Sequence, residues 1–270
     1  PTMNRSEIFL VMVSGMGTIA GSVMGTYIGM LGGTDPAAKV LFATHLLSAS
    51  VMAVPGSIVL AKMLCPQTEE ATDHVAISGK EKENSNILDA ISSGTVTGVK
   101  LMTNIAAMLL VFISLVALAN YITEGVIGRY TGLNDWIVKI TDGKAQGLTF
   151  QFILGVITSP FMWLIGVPSQ DIMLVGSLLG QKTILNEFVA YFQLQQWKDA
   201  GLFMYEKSIL MSTYILCGFA NISSIGILLG GLGVLAPEKR GLISRIGVPA
   251  MIGGALVSVL SATIIGMILG

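Results

Sequence analysis

Glu187 is the carboxylate that stands out, since it sits in apolar sequence with Asn186 before it and Phe188-Val-Ala-Tyr-Phe192 after it. An ionised carboxylate in such surroundings is costly unless it meets water or a partner. An ion pair with Lys182, or a polar cap on a turn, would satisfy it without any function. Asp171 lies nearer a segment end, where water is close. Asn221, with Ser223 and Ser224, occupies the middle of another apolar run between Gly218 and Gly226. A lone Asn is commonly interhelical glue worth about 0.6 kcal/mol. With Ser224 one helical turn on and a break in the helix, it reads as a polar binding face. A carboxylate that accepts and an amide that both donates and accepts suit vicinal hydroxyls. The third candidate is Ser14-Gly-Met-Gly-Thr-Ile-Ala-Gly-Ser-Val-Met-Gly-Thr26. Gly17, Gly21 and Gly25 share one helical face, so one reading is a small-residue packing stripe. The other is an unwound segment, with Gly21 to Gly25 non-helical and its oxygens open to a cation. Cys65, Cys217, His45 and His74 are scattered, with no zinc or haem ligand spacing and no nucleophile–base pair for an enzyme.

The elements that must position these residues are membrane helices. Hydrophobic residues make up 53% of the chain and charged residues 11%, against about 25% charged in soluble domains. Mean hydropathy is +0.76. So much apolar surface requires lipid as part of the solvent. A net charge of −1 leaves no electrostatic footprint for nucleic acid. The apolar runs predict an interrupted helix at 7–31, a span at 37–64, a polar loop at 66–86, and an interfacial plus crossing helix at 87–127. A helix at 148–167 follows, with Pro160 inside it. At 168–197 the apolar pieces on either side of Asn186-Glu187 are each too short to cross ~30 Å of hydrocarbon, which predicts a re-entrant hairpin with the polar pair at its tip. A second interrupted helix at 209–235 and a last span at 246–269 complete an all-α polytopic membrane protein of four or five spans. The chain opens at Pro1, without an initiator Met and close to a helix, and reads as an excised or truncated piece.

Gly180-Gln-Lys-Thr-Ile-Leu-Asn-Glu-Phe-Val-Ala-Tyr191 closely resembles the GxKxxxNEFVAY hairpin of concentrative nucleoside transporters. Cys217-Gly-Phe-Ala-Asn-Ile-Ser-Ser-Ile-Gly226 resembles their GFANxSSIG segment, and Thr18-Ile-Ala-Gly-Ser-Val-Met-Gly-Thr-Tyr27 their TIAGxVxxxY helix. Gly98 to Asn104 and Trp163 to Pro168 are also similar, so the resemblance runs over essentially the whole chain. It implies a cation-driven nucleoside symporter of the inner (plasma) membrane, a homotrimer that works by alternating access, without an organic cofactor. Carried over by motif, Glu187 and Asn221 bind ribose hydroxyls, with Asn186 and Ser224 assisting and Phe219 packing on the ligand. Ser22 and the Val23 carbonyl match the helix that helps hold sodium. Thr18 to Ser22 resembles sodium-coupled members more than proton-coupled ones, and a proton-coupled symporter is the nearest alternative. A first hairpin carrying Gly-Gln-(Ser/Thr)-Glu, which supplies most base contacts, is expected upstream of Pro1.

Overall fold

The helices of the computed structural model begin at side chains suited to start them. Asn4, Asp35, Asn86, Thr149, Asn186 and Asn221 each occupy an N-cap and accept a backbone N–H two or three residues on. Each such cap is worth about 1 kcal/mol. The structure describes residues 2–69, 86–141, 143 and 145–270, so most of the polar loop expected at 66–86 lies outside the described residues. Among those described there is no strand, and the chain is an all-α membrane protein.

The first apolar run is two helices, α1 (Arg5–Gly17) and α2 (Gly21–Gly32), and α3 (Pro36–Leu64) follows. After the loop, α4 (Ile87–Asn120) continues through a π-helical stretch, Tyr121–Gly128, into the single turn α5 (Arg129–Thr131) and the short α6 (Leu133–Ile140). Then come α7 (Phe150–Leu164), α8 (Ile172–Ile184), α9 (Glu187–Asp199), α10 (Glu206–Leu216), α11 (Ile222–Leu235) and α12 (Arg240–Ile268). Among the described residues, Arg5–Gly32, Pro36–Leu64 and Pro237–Ile268 are long and apolar enough to cross a membrane, while α7 and α8 are shorter apolar pieces.

One expectation is corrected here. Gly21 to Gly25 is not unwound: it forms the opening turns of α2, and the non-helical backbone is Thr18–Ala20. The Ala20 carbonyl accepts from Val23 N (3.1 Å) and Met24 N (3.0 Å), which starts the helix at Gly21. A glycine penalty of ~1 kcal/mol is a weak prior, and lipid punishes unmade backbone bonds more heavily. The packing-stripe reading fits only Gly17, whose added Cβ would meet Ser57 and Val257 at 3.2 Å; Gly21 and Gly25 have open space beside them.

Two apolar clusters hold the body together. Tyr27, Leu46, Leu178, Tyr191 and Leu216 belong to one, which joins α2, α3, α8, α9 and α10. Met12, Met16, Ala220, Ala250 and Val257 belong to the other, where α1 and α11 lie on α12. α7 folds back onto α8 at glycine positions: a Cβ on Gly180 would come within 2.5 Å of Leu154. Small residues allow this close approach, which membrane helices use in place of a hydrophobic drive.

Candidate functional site

The two interrupted helices cross at their breaks. Phe219 N, in the non-helical link between α10 and α11, donates to Met16 O at the end of α1 over 2.7 Å. Gly218 stands against the other chain segment with φ of +132°, and a Cβ there would lie 2.8 Å from Ser258 Oγ and 3.0 Å from Gly17 O. No residue but glycine fits that backbone and that gap without strain. Each break thus supplies part of what the other lacks.

The α8–α9 pair brings Glu187 to this crossing. Glu187 is the first residue of α9 and is 7% exposed. Asn221 caps α11 and is fully buried. Asn221 Nδ2 donates to Glu187 Oε2 over 3.0 Å. The amide oxygen, on its other side, accepts from Ser223 Oγ (2.6 Å), Ser224 N (2.9 Å) and Ser224 Oγ (2.9 Å). Ser224 Oγ also approaches Phe219 O closely. Two half-helix N-termini, those of α9 and α11, therefore converge on one carboxylate, where their partial positive charge is favourable.

A cavity of about 270 Å³ opens beside Glu187, walled by Thr18, Ile19, Ala20, Val23 and Phe219 together with Gly15 and Gly218. The Thr18 and Ile19 carbonyls accept no hydrogen bond among the described residues. A slightly larger cavity, about 300 Å³, lies at the far end of α1 among Asn4, Ser6, Cys65 and Glu69. It borders residues outside the described set and holds none of the candidate residues, whereas Val23, Glu187 and Phe219 line the smaller one.

Glu187, Asn221, Ser224, Phe219 and Val23 are thus gathered at the crossing. Asn186 is adjacent, but its side-chain oxygen is occupied as the cap of α9, accepting from Val189 N at 2.9 Å. Ser22 is exposed in the first turn of α2, and Val23, though it lines the cavity, is inside that helix. Lys182 does not pair with Glu187; its ammonium turns to Ile215 O and Ser258 Oγ. Asp171 is fully buried rather than near water, and it accepts from Met204 N and Tyr205 N.

A family model described as "Na+ dependent nucleoside transporter C-terminus" matches residues 45–266. The chain belongs to that nucleoside-transporter family. The nucleoside permease NupC of Helicobacter pylori is 36% identical, over 100% of this chain and 59% of its own length. Sodium/nucleoside cotransporter 1 of Rattus norvegicus is 38% identical, over 98% of this chain and 40% of its own. The solved structure of CNTnw in an inward-facing substrate-bound state superposes with a TM-score of 0.80 at 36% identity, covering 98% of this chain and 58% of that one. The chain therefore spans 60% or less of the curated relatives it matches. These relatives of the nucleoside-transporter segment are carriers rather than enzymes.

Two tyrosines beside the site were not singled out in the sequence, although each closes a quoted motif. Tyr27 and Tyr191 stack with ring centroids 4.0 Å apart. Tyr191 Oη donates to Thr213 O at 2.8 Å. The Tyr27 hydroxyl is buried beside Glu187, and among the described residues it has no hydrogen-bond partner within bonding distance. The motif endings were the available signal.

Proposed function

We propose that this segment carries the ribose half of the substrate site in a nucleoside symporter that imports nucleosides by alternating access. The observation that carries the reading is the Asn221–Glu187 contact on the wall of the cavity at the helix crossing. A carboxylate and an amide that hydrogen-bond to each other can exchange that bond for two ribose hydroxyls. Phe219 supplies an apolar face beside them, and Ser224 orients the Asn221 oxygen. Asn186 acts by fixing the start of α9, and so the Glu187 backbone, rather than by touching the sugar.

Sodium is the proposed coupling ion. Its oxygens are better sought in the open Thr18 and Ile19 carbonyls than in Ser22, which is exposed, or in Val23 O, whose helical position leads it to serve as a ladder acceptor. The α8–α9 pair is proposed to enter and leave the membrane on one side, since each arm has 13 residues, about 20 Å at 1.5 Å per residue. The remaining base contacts would come from a hairpin outside this segment. We place the assembled protein in the inner membrane as a homotrimer.

Labelled-uridine uptake into vesicles bearing the full-length protein tests the proposal. A sodium gradient should drive accumulation of unaltered uridine. Accumulation under a proton gradient alone would replace sodium with protons, and no saturable uptake under either gradient would overturn the reading.

A further inference from the structure

We propose that Lys182 is a tethered cation that closes the broken end of α10 and so holds the α8–α9 pair where Glu187 meets Asn221. The argument begins with α10 itself. A helix that stops inside a membrane leaves carbonyls without partners, and lipid offers no water to satisfy them. α10 stops at Leu216, and its last turn contains no basic residue of its own.

Donors from three other helices close this end. Tyr191 Oη of α9 reaches Thr213 O at 2.8 Å. Lys182 Nζ of α8 reaches Ile215 O at 2.8 Å and Ser258 Oγ at 2.9 Å. Ser258 Oγ of α12 passes the contact on to Cys217 O at 2.7 Å. Lys182 is 0% exposed, so its ammonium is wholly committed to this place. A positive charge at the negative end of a half-helix is favourable there, and interrupted transporter helices commonly give that position to a bound ion. Here a side chain fills it.

The other break is built differently. α1 also lacks a basic residue in its last turn; among the described residues no lysine or arginine bonds to its end, and the carbonyls of Thr18 and Ile19, two residues that line the cavity, accept no hydrogen bond. One crossing therefore has one end closed by a built-in cation and one end, held at Met16 O by Phe219 N, without a cation among the described residues.

Lys182 lies in the last turn of α8 and Glu187 opens α9, so an anchor on the first is an anchor on the second. The Cys217 carbonyl it secures through Ser258 leads directly into the Gly218–Asn221 link. Lys182 is accordingly a positioning residue for the binding site, and this role rests on the function proposed above for its binding readout.

The experiment uses the full-length protein with two readouts, uridine affinity and amide hydrogen exchange across the tip at 185–189. Lys182→Met keeps the length of the side chain and removes the charge. It should weaken uridine binding by roughly five- to thirtyfold, the range expected for a cation at a buried helix end, and speed exchange at the tip. Lys182→Ala should behave likewise, with both readouts largely restored by added ethylammonium but not by neutral propanol. Parental affinity and exchange in Lys182→Met, or equal rescue by propanol, would overturn the proposal. If neither variant folds, Ser258→Ala keeps the cation but removes its bridge to Cys217 O. It should show a smaller loss in both readouts, and no change in either would also overturn the role. A parent that binds no uridine would defeat the proposed function, while the exchange comparison would still decide the part played by Lys182.

Discussion

Asn221 does two jobs with two ends of one amide, and substitution can separate them. Its oxygen caps α11 by accepting from Ser224 N at 2.9 Å, and its nitrogen donates to Glu187 at 3.0 Å. Serine is about as good a cap as asparagine, but its hydroxyl is too short to reach both α11 and Glu187. Asn221→Ser should therefore keep the helix start and lose the donor. A hydrogen bond to a charged group is worth about 1.5–3 kcal/mol, so affinity for a ribonucleoside should fall roughly 10- to 150-fold. Asn221→Ala removes the cap as well, and should cost a further ~1 kcal/mol of stability. Equilibrium binding and thermal unfolding of the full-length parent and the two variants would be measured side by side. The expected pattern is two weak binders, of which only the alanine variant melts early. Parental affinity in Asn221→Ser would refute the reasoning, because the Glu187 contact would then have no bearing on the ligand. Early melting of both variants to the same extent would refute the separation of cap from donor.

Glu187→Gln retains shape but weakens the acceptor, so ribonucleoside binding should fall at least about tenfold, with a smaller loss for an analogue lacking the contacted hydroxyl. Equal losses for all analogues would make Glu187 a structural or coupling group. Gly218→Ala should cost about 1–2 kcal/mol for its positive φ and about 1–3 kcal/mol for crowding Ser258 and Gly17; unchanged melting would contradict the close crossing. Tyr27→Phe deletes a buried hydroxyl that has no hydrogen-bond partner among the described residues, so the protein should be as stable as the parent or up to ~1 kcal/mol more so. A clear drop in melting temperature would mean that the hydroxyl has an acceptor after all.

What the sequence disclosed were features governed by local chemistry. Asn186 and Asn221 precede apolar helical stretches, as caps do, and the short apolar pieces around Asn186-Glu187 fall in two separate helices. Glu187 and Asn221 were legible as polar groups in apolar runs, but their hydrogen bond to each other was not. The position of the first break was less legible. Glycine content suggested Gly21 to Gly25, but Phe219 N, remote in sequence, satisfies Met16 O and helps define the end of α1. An ion pair with Lys182 was one alternative for Glu187 on charge alone, whereas the structure turns Lys182 to the end of α10. Asp171 appeared water-exposed because nothing nearby in sequence announces that Met204 and Tyr205 will donate to it. Each of these depends on a partner from another element, which periodicity does not report.

The bond between Met16 O and Phe219 N also sets a schedule for the protein's own manufacture. Its donor is encoded some two hundred residues after its acceptor. At synthesis rates of about 5–20 residues per second, the first helix pair waits roughly 10–40 s for the segment that completes it. During that interval the broken end of α1 sits beside lipid or translocon with an unmatched carbonyl. A nascent chain arrested before Phe219 should remain in that unfinished condition, open to membrane quality-control proteases, and become resistant only when α10 and the link beyond it have emerged.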